Sequence, residues 1–335
     1  MAVSTTPIAP PGIHSPHRTA GRRPMEPNVK NIVLGERHIK PEYPSFYAEA
    51  LVGGKKTEWL YVCQWCFKYT NELLKFSAHC VALGAEGQAD GRKKVCPMKS
   101  GPPHGEVVYA KDNYSIHRLD GEQHKLYSQN LGLFAKLFLE TKSVFFDAST
   151  FLYYTLVLHD PSSKSSPQPQ GQVIGFFSKE KMSWDNNNLA CIVVFPPWQK
   201  RGLGQVLIAA SYVLGRRENR FGGPERPLSA DGRKSYVKYW TGAVARAVLL
   251  GGHGKKVLSV KDLAEKTWIM PEDVVMALKE MDVYEKRKTA SGNIVVSKSK
   301  VRAWVEKHKV GLEAIVDVDA FVEDSESEDE EMSDD

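Results

Sequence analysis

The chain has 335 residues, a formal net charge of +5, 42% hydrophobic and 25% charged side chains. That length holds one large or two ordinary domains with real cores, and that composition excludes global disorder. No run approaches about eighteen apolar residues, which excludes a membrane-spanning helix, and Met1 to Arg23 lacks the apolar centre of a secretory signal.

Residues 1–28 are rich in Pro, Ser and Thr and read as a disordered leader. A first folded region is expected over 29–105. Within it, residues 31–62 alternate apolar and polar in short runs broken by Pro and Gly, which predicts strands and turns. A Cys-rich span follows, then a Gly- and Lys-rich stretch, GAEGQADGRKK, that reads as a loop.

A second region is expected over 106–252. Glu106 to Leu119 predicts a hairpin, and residues 126–140 (LYSQNLGLFAKLFLE) a buried helix. Phe145, Phe146 and residues 151–158 predict strand, and residues 160–170 a flexible Ser/Pro loop. QVIGFFS and LACIVVF are two apolar runs of strand length. PPWQKRGLGQVLIAASYVLGRRE then predicts a Gly-containing loop and a long amphipathic helix. After the Pro-flanked loop GGPERPLSADG, a second helix is expected from about Lys234 to Leu250.

Residues 253–310 read as a small separate helix-turn-helix module with a wing. Ser259 and Asp262 form a capping-box pattern, and Pro271 stands at the first position of PEDVVMALKEM. VYEKRKTASGNIVV predicts a hairpin, and a third helix ends near His308. Residues 311–335 read as an acidic disordered tail. Residues 323–335 alone carry nine acidic and no basic side chains, so removing those nine raises +5 to about +14 for the rest. A basic body suits an acidic partner such as nucleosomal DNA; the run itself is equally a plain solubilising tail.

Five cysteines without a secretory signal argue for a reducing compartment, where Cys serves as metal ligand, nucleophile or core filler. Cys63-x2-Cys66-x12-His79 has the look of a zinc knuckle, two thiolates from a tight turn and one helix-borne nitrogen. The fourth ligand is Cys80 or Cys96. Adjacent helical residues point about 100° apart, which makes Cys80 awkward beside His79 and Cys96 the better choice.

Gln199-Lys200-Arg201-Gly202-Leu203-Gly204 lies between an apolar strand and a helix, where glycines let backbone amides face a pyrophosphate. Taken alone, the pattern also fits a bland Gly-rich turn. Cys191, inside LACIVVF, reads as a small buried hydrophobe before it reads as a nucleophile. Glu225, in GGPERPLS, is a carboxylate on a Pro-braced loop, either solvent-facing or held as a general base.

Together these segments resemble the catalytic domain of the MYST acetyltransferases over roughly Asn31 to Lys309. YVCQWCFKY, LYSQNLGLFAKLFLETKSVFFD, IGFFSKEK, LACIVVFPPWQKRGLGQVLIAASYVL, PERPLSADG followed by SYVKYW, and SVKDLAEKTWIMPEDVVMAL carry the resemblance in order and spacing. It implies an α/β (α+β) fold: a GNAT-like core with a mixed central sheet, an N-terminal zinc knuckle and a winged-helix-like C-terminal module. It further implies lysine acetylation with acetyl-CoA as co-substrate and structural zinc.

By the resemblance, Glu225 is the general base and Cys191 the active-site cysteine. Gln199, Lys200, Arg201, Gly202, Leu203, Gly204 and Gln205 hold the cofactor pyrophosphate, with Ile192, Val194 and Ser229 also at the cofactor. Lys142 is the autoacetylated lysine, and Cys63, Cys66, His79 and Cys96 ligate zinc. The short N-terminus is similar to the fungal silencing-type member that acts on histone H4, which implies a nuclear enzyme, a histone tail and nucleosome as substrate, and partner subunits of a histone acetyltransferase complex. Weak DNA contact is compatible with the basic body. The sequence departs from the family pattern at the insertion Val81 to Val95, at Leu203 for an aromatic, at Val194 for a hydroxyl residue, and at Trp198 and Ala230. The rival reading is a chromatin- or DNA-binding module that keeps the fold.

Overall fold

The computed structural model describes residues 26–52, 57–80, 96, 98, 105–140, 142, 147–160, 171–251, 258–288 and 294–322. The leader up to residue 25, the Gly/Lys loop, Phe145 and Phe146, the Ser/Pro loop from 161 to 170 and the acidic run 323–335 lie outside the described residues.

Strands β1 (Val29–Leu34), β2 (Arg37–Ile39), β3 (Thr57–Val62) and β4 (Tyr69–Thr70) make a four-stranded sheet in the order β2-β1-β3-β4. A single helical turn, α1 (Glu49–Val52), interrupts this stretch, and α2 (Leu73–Cys80) follows it. The turn α1 was not foreseen. Asn28, assigned to the leader by its sequence, belongs to the fold: its side-chain oxygen accepts from the Ser45 amide at 2.7 Å, and its carbonyl accepts from the Thr57 amide.

The central sheet runs β10-β8-β7-β6-β5 and is antiparallel at every pairing. Its strands are β5 (Glu106–Lys111), β6 (Tyr114–Asp120), β7 (Phe151–His159), β8 (Gly171–Glu180) and β10 (Cys191–Val194). FLYYTLVLH and GQVIGFFSKE form β7 and β8 because aromatic and β-branched side chains suit a strand buried on both faces. Short β9 (Asn187–Leu189) leads into β10 through Ala190, whose amide donates to the Ser178 carbonyl of β8. On the other edge of β9, β11 (Gly223–Pro224) pairs in parallel in a separate two-stranded sheet, so the mixed strand directions expected of the core come from this pair and not from the five-stranded sheet.

Helix α3 (Lys125–Lys136) precedes β7, α4 (Leu203–Arg217) follows β10, and α5 (Ala230–Leu249) follows β11. Helix α5 begins at Ala230, four residues before the expected start. The sequence Ser-Ala-Asp-Gly reads as a turn, but Ser229 accepts from the Gly232 amide and caps the helix, with Asp231 favourable in its first turn.

The C-terminal region comprises α6 (Val260–Thr267), α7 (Pro271–Met281), the hairpin β12 (Tyr284–Lys288)/β13 (Ile294–Val296) and α8 (Lys298–His308). The capping box of Ser259 and Asp262 is present in both directions. This region is not the separate module expected. Leu263, Val274, Leu278 and Val301 belong to the same buried cluster as Trp240 and Val244 of α5 and the strands of the central sheet. Among the described residues no helix is long and apolar enough to cross a membrane.

The tail reading of 311–335 also needs correction, for residues up to 322. Phe321 is buried against Tyr109, and the Val322 amide bonds Val108. The Arg217 guanidinium, at the end of α4, donates to the carbonyls of Val318, Phe321 and Val322. Nothing in the periodicity of so short a segment announces this docking.

Candidate functional site

The catalytic candidates meet where β9, β10 and β11 come together. Glu225 directly follows β11, and its amide donates to the Leu189 carbonyl at 2.8 Å, so the parallel pairing of β11 with β9 fixes the backbone of this residue. Its carboxylate pairs with the Lys142 ammonium. Both side chains are partly exposed, 36% and 25%. A pair so placed contributes roughly 0–1 kcal/mol to stability, so it yields readily to a competitor.

Cys191 opens β10 and is 2% exposed. Burial pushes its thiol up to about 12, with Lys142 and Lys136 opposing and Glu225 reinforcing the rise. Roughly one molecule in 100,000 would then carry the thiolate at pH 7. Alternation along β10 puts Cys191 and Val193 on one face and the half-buried Ile192 and Val194 on the other.

The glycine loop joins β10 to α4. Pro196–Trp198 form a 3-10 turn, and the Gln199 side chain donates to the Val194 carbonyl, folding the loop back on β10. Lys200 (φ +61°) and Gly202 (φ +80°) are both left-handed. Gly202 is the N-cap of α4, where only glycine takes that angle without strain. A Cβ built on Gly202 or Gly204 meets nothing within 4 Å, so the space in front of the helix N-terminus is open. The Leu203 and Gly204 amides open α4 ahead of its first hydrogen bond, which the Gln205 amide makes to the Gly202 carbonyl, and exposed Lys200 and Arg201 stand beside them, a donor set that fits a pyrophosphate. Leu203 is buried in the core. The Gln205 side chain donates to the Ser235 carbonyl at 2.8 Å and ties α4 to α5. Ser229 is exposed and caps α5, as described above.

At the other end, Cys63, Cys66, His79 and Cys96 bring their ligand atoms within 4.8 Å of one another. The Cys63 amide bonds the Lys68 carbonyl and the Phe67 amide the Cys63 carbonyl, which closes the knuckle, and α2 delivers His79. Hydrogen bonds from Cys66, Cys80 and Cys96 hold the Cys63 thiol low, while the bond to Cys63 raises Cys66 and Cys96. Three sulfurs and a nitrogen fit a tetrahedral structural zinc site. Cys80 is buried in the same cluster but lies outside the four.

Sequence reasoning missed two groups beside the site. Lys136 is 5% exposed; its ammonium donates to the Leu139 and Glu140 carbonyls at 2.6 and 2.8 Å, and burial pulls its pKa down. A lysine among the apolar positions of α3 was the available signal. The second group is Asp273, paired with Arg226; no local pattern joins residues so far apart.

A zinc knuckle on an α/β core with a strand–glycine loop–helix unit defines the class. A MOZ/SAS family model matches residues 102–321, and a model described as the MYST family zinc finger domain matches 26–82. The chain belongs to the MOZ/SAS family. It is 35% identical over 279 residues to the "Histone acetyltransferase Tip60 homolog" of Caenorhabditis elegans, covering 83% of this chain and 55% of that protein. It is 35% identical over 262 residues to "Histone acetyltransferase mst2" of Schizosaccharomyces pombe, covering 78% and 58%. It is 36% identical over 225 residues to "Histone acetyltransferase SAS2" of Saccharomyces cerevisiae, covering 67% and 60%. The chain spans about half the length of the curated relatives it matches.

Proposed function

We propose that this chain is a nuclear histone lysine acetyltransferase that moves an acetyl group from acetyl-CoA to a lysine ε-amine, with Glu225 as general base. The observation that carries the reading is the Glu225 carboxylate holding a lysine ammonium, that of Lys142, beside Cys191 on the strand that leads into the glycine loop. Lysine is almost wholly protonated near neutrality, so a base must remove a proton before the nitrogen can attack. Glu225 takes that proton. The freed amine attacks the thioester carbonyl, its new C–N bond replaces the C–S bond, and CoA leaves as the thiol. Gln199 to Gln205 hold the pyrophosphate on the amides of α4, Ile192 and Val194 flank the acetyl arm along β10, and Ser229 lies at the cofactor's edge.

The high pKa of Cys191 favours direct attack by the amine over an acetyl-cysteine intermediate; in this reading Cys191 lines the site. Lys142 stands where a substrate lysine must stand, so it is its own enzyme's first substrate. Its acetylation removes the ammonium and clears Glu225. Cys63, Cys66, His79 and Cys96 hold the structural zinc, with Cys96 the fourth ligand.

The substrate is the histone H4 tail, presented on nucleosomes, and the enzyme works with partner subunits of a histone acetyltransferase complex. The basic body adds weak DNA contact. A purely DNA-binding role is less well supported: α7 buries Asp273, Val274, Ala277 and Leu278 and exposes Glu272, Lys279 and Glu280, a face that does not attract phosphate. The test is acetyl transfer from labelled acetyl-CoA to histone H4, native against Glu225→Gln. Transfer that collapses in the variant supports the reading; a variant as active as the native chain removes Glu225 from it.

A further inference from the structure

The loop that carries Glu225 is gripped from behind by the C-terminal helices. Arg226, its next residue, pairs with the carboxylate of Asp273 in the first turn of α7; Arg226 is 46% exposed at its side chain and Asp273 only 1%. The guanidinium also lies 5.9 Å from the Trp240 ring of α5, whose Nε1 donates to the Tyr212 hydroxyl of α4. Two residues before Glu225, Gly223 passes so close to Asp273 that a Cβ there would come within 3.3 Å of Oδ2. Phe221 stacks on Trp268, at the end of α6, with ring centroids 4.5 Å apart. From the front, β9 holds the same loop by the pairing of β11 and by the bond from the Glu225 amide to Leu189.

A carboxylate buried this deeply is costly unless it is paired. Burial raises the pKa of Asp273, Arg226 opposes the rise, and Glu272 adds to it. The N-terminus of α7 lends a favourable dipole. The fold thus places a buried charge where its partner is the neighbour of the proposed base. We propose that Asp273 is a positioning residue for acetyl transfer: by anchoring Arg226 it sets where the Glu225 carboxylate stands, and it makes the C-terminal helices part of the catalytic apparatus. This rests on Glu225 being the general base.

The charged and titratable groups around the pair are few. Lys142 and the Cys191 thiol face Glu225; Arg226, Glu272 and the phenols of Tyr212 and Tyr236 face Asp273. Asp273→Asn removes an anion and leaves the Arg226 cation unpaired beside Glu225. Both changes favour the ionised base.

The experiment is steady-state transfer from acetyl-CoA to an H4-tail peptide across pH, with the native chain, Asp273→Asn, Arg226→Lys, Arg226→Gln and the double variant Asp273→Asn/Arg226→Gln. In Asp273→Asn, kcat should fall about tenfold or more, since a small misplacement of a catalytic group is costly. KM for acetyl-CoA should stay within about twofold, because the glycine loop is untouched, and the acid limb of the profile should move to lower pH. The double variant, lacking both charges, should return that limb towards its native place with kcat still low. Arg226→Lys should keep more kcat than Arg226→Gln, which, being altered on the exposed side, guards against a misfolded Asp273 variant. A folded Asp273→Asn with native kcat and a native acid limb overturns the proposal. If Glu225→Gln is fully active, the base assignment has failed and this proposal falls with it; if the native chain transfers nothing, carbon-13 NMR titration of Glu225, which needs no turnover, decides the coupling of Asp273 to Glu225. A Glu225 signal that titrates at the same pH in native and Asp273→Asn chains overturns it, and one displaced to lower pH sustains it.

Discussion

The Lys142 ammonium is paired with the Glu225 carboxylate, so the residue proposed to take a proton from the substrate already holds a lysine of its own chain. An arriving lysine competes with an intramolecular one.

Neutralising that internal lysine should therefore raise the rate. Lys142→Arg keeps a cation against Glu225 that cannot be acetylated, whereas Lys142→Gln leaves a neutral amide. The Arg variant is expected to run about two- to fivefold slower than the Gln variant, a difference of up to about 1 kcal/mol in barrier. Initial rates, with mass spectrometry of Lys142 in the native chain as reference, check this; equal rates would mean that the pair does not gate the base.

Cys191 should matter far less than Glu225. Removing a general base typically costs 10²- to 10⁴-fold, so Glu225→Gln should lose roughly that much. Cys191→Ala should lose less than about tenfold, because a thiol raised to about 12 is a poor nucleophile at neutral pH. Rapid-quench mass spectrometry should find no acetyl group on Cys191 during turnover. A stoichiometric acetyl-cysteine in the first turnover would reverse the assignment.

The zinc knuckle separates two cysteines that the sequence left as rivals. Cys96→Ser should lower bound zinc well below one per chain and reduce Tm, as Cys63→Ser should. Cys80→Ser should keep about one zinc per chain, since Cys80 lies outside the four converging ligands. Metal analysis of the purified variants gives the answer directly.

A second cluster sets a pH dependence of stability. Ser115 Oγ lies 2.7 Å from His117 Nε2 and 2.6 Å from His159 Nε2. Burial lowers both histidines below their ordinary value of 6.5. A depressed histidine stays neutral in the fold while the unfolded chain takes up a proton, so stability is present above about pH 6.5 and declines as pH falls below it. Tm measured from pH 7.5 to 5.5 should fall less in the variant His117→Gln/His159→Gln than in the native chain. Parallel curves would sink the idea.

Docking of residues 311–322 should be worth a measurable share of stability. Phe321→Ala removes a ring packed between Tyr109 and the Arg217 guanidinium and should cost about 3 kcal/mol, the low end for such a truncation. Arg217→Ala should expose the same segment to limited proteolysis. A native cleavage pattern in Arg217→Ala would show that its three carbonyl contacts do not hold the segment.

Much of this was legible because it is local. The capping box of Ser259 and Asp262, Pro271 at the head of α7 and the Gly202 N-cap of α4 are decided by neighbours a few residues away. The family resemblance named Lys142 and Glu225, but no spacing rule says that they touch. The start of α5 was misjudged because Ser-Ala-Asp-Gly suits a turn and a capped first turn equally. The bracing of Arg226 by Asp273 and the clamp of Arg217 on Phe321 join distant parts of the chain, and such pairings leave no periodic trace.

Helix α5 lies in one apolar interior with the central sheet and with α6, α7 and α8, and Trp240 stands fully buried within it. Neither side can open without uncovering part of α5. Amides in α7 should then exchange with solvent through the same global opening as those of β7, and denaturant should melt the described chain in one transition rather than two. A substitution anywhere on the inner face of α7 is felt as a change in the lifetime of the whole folded state.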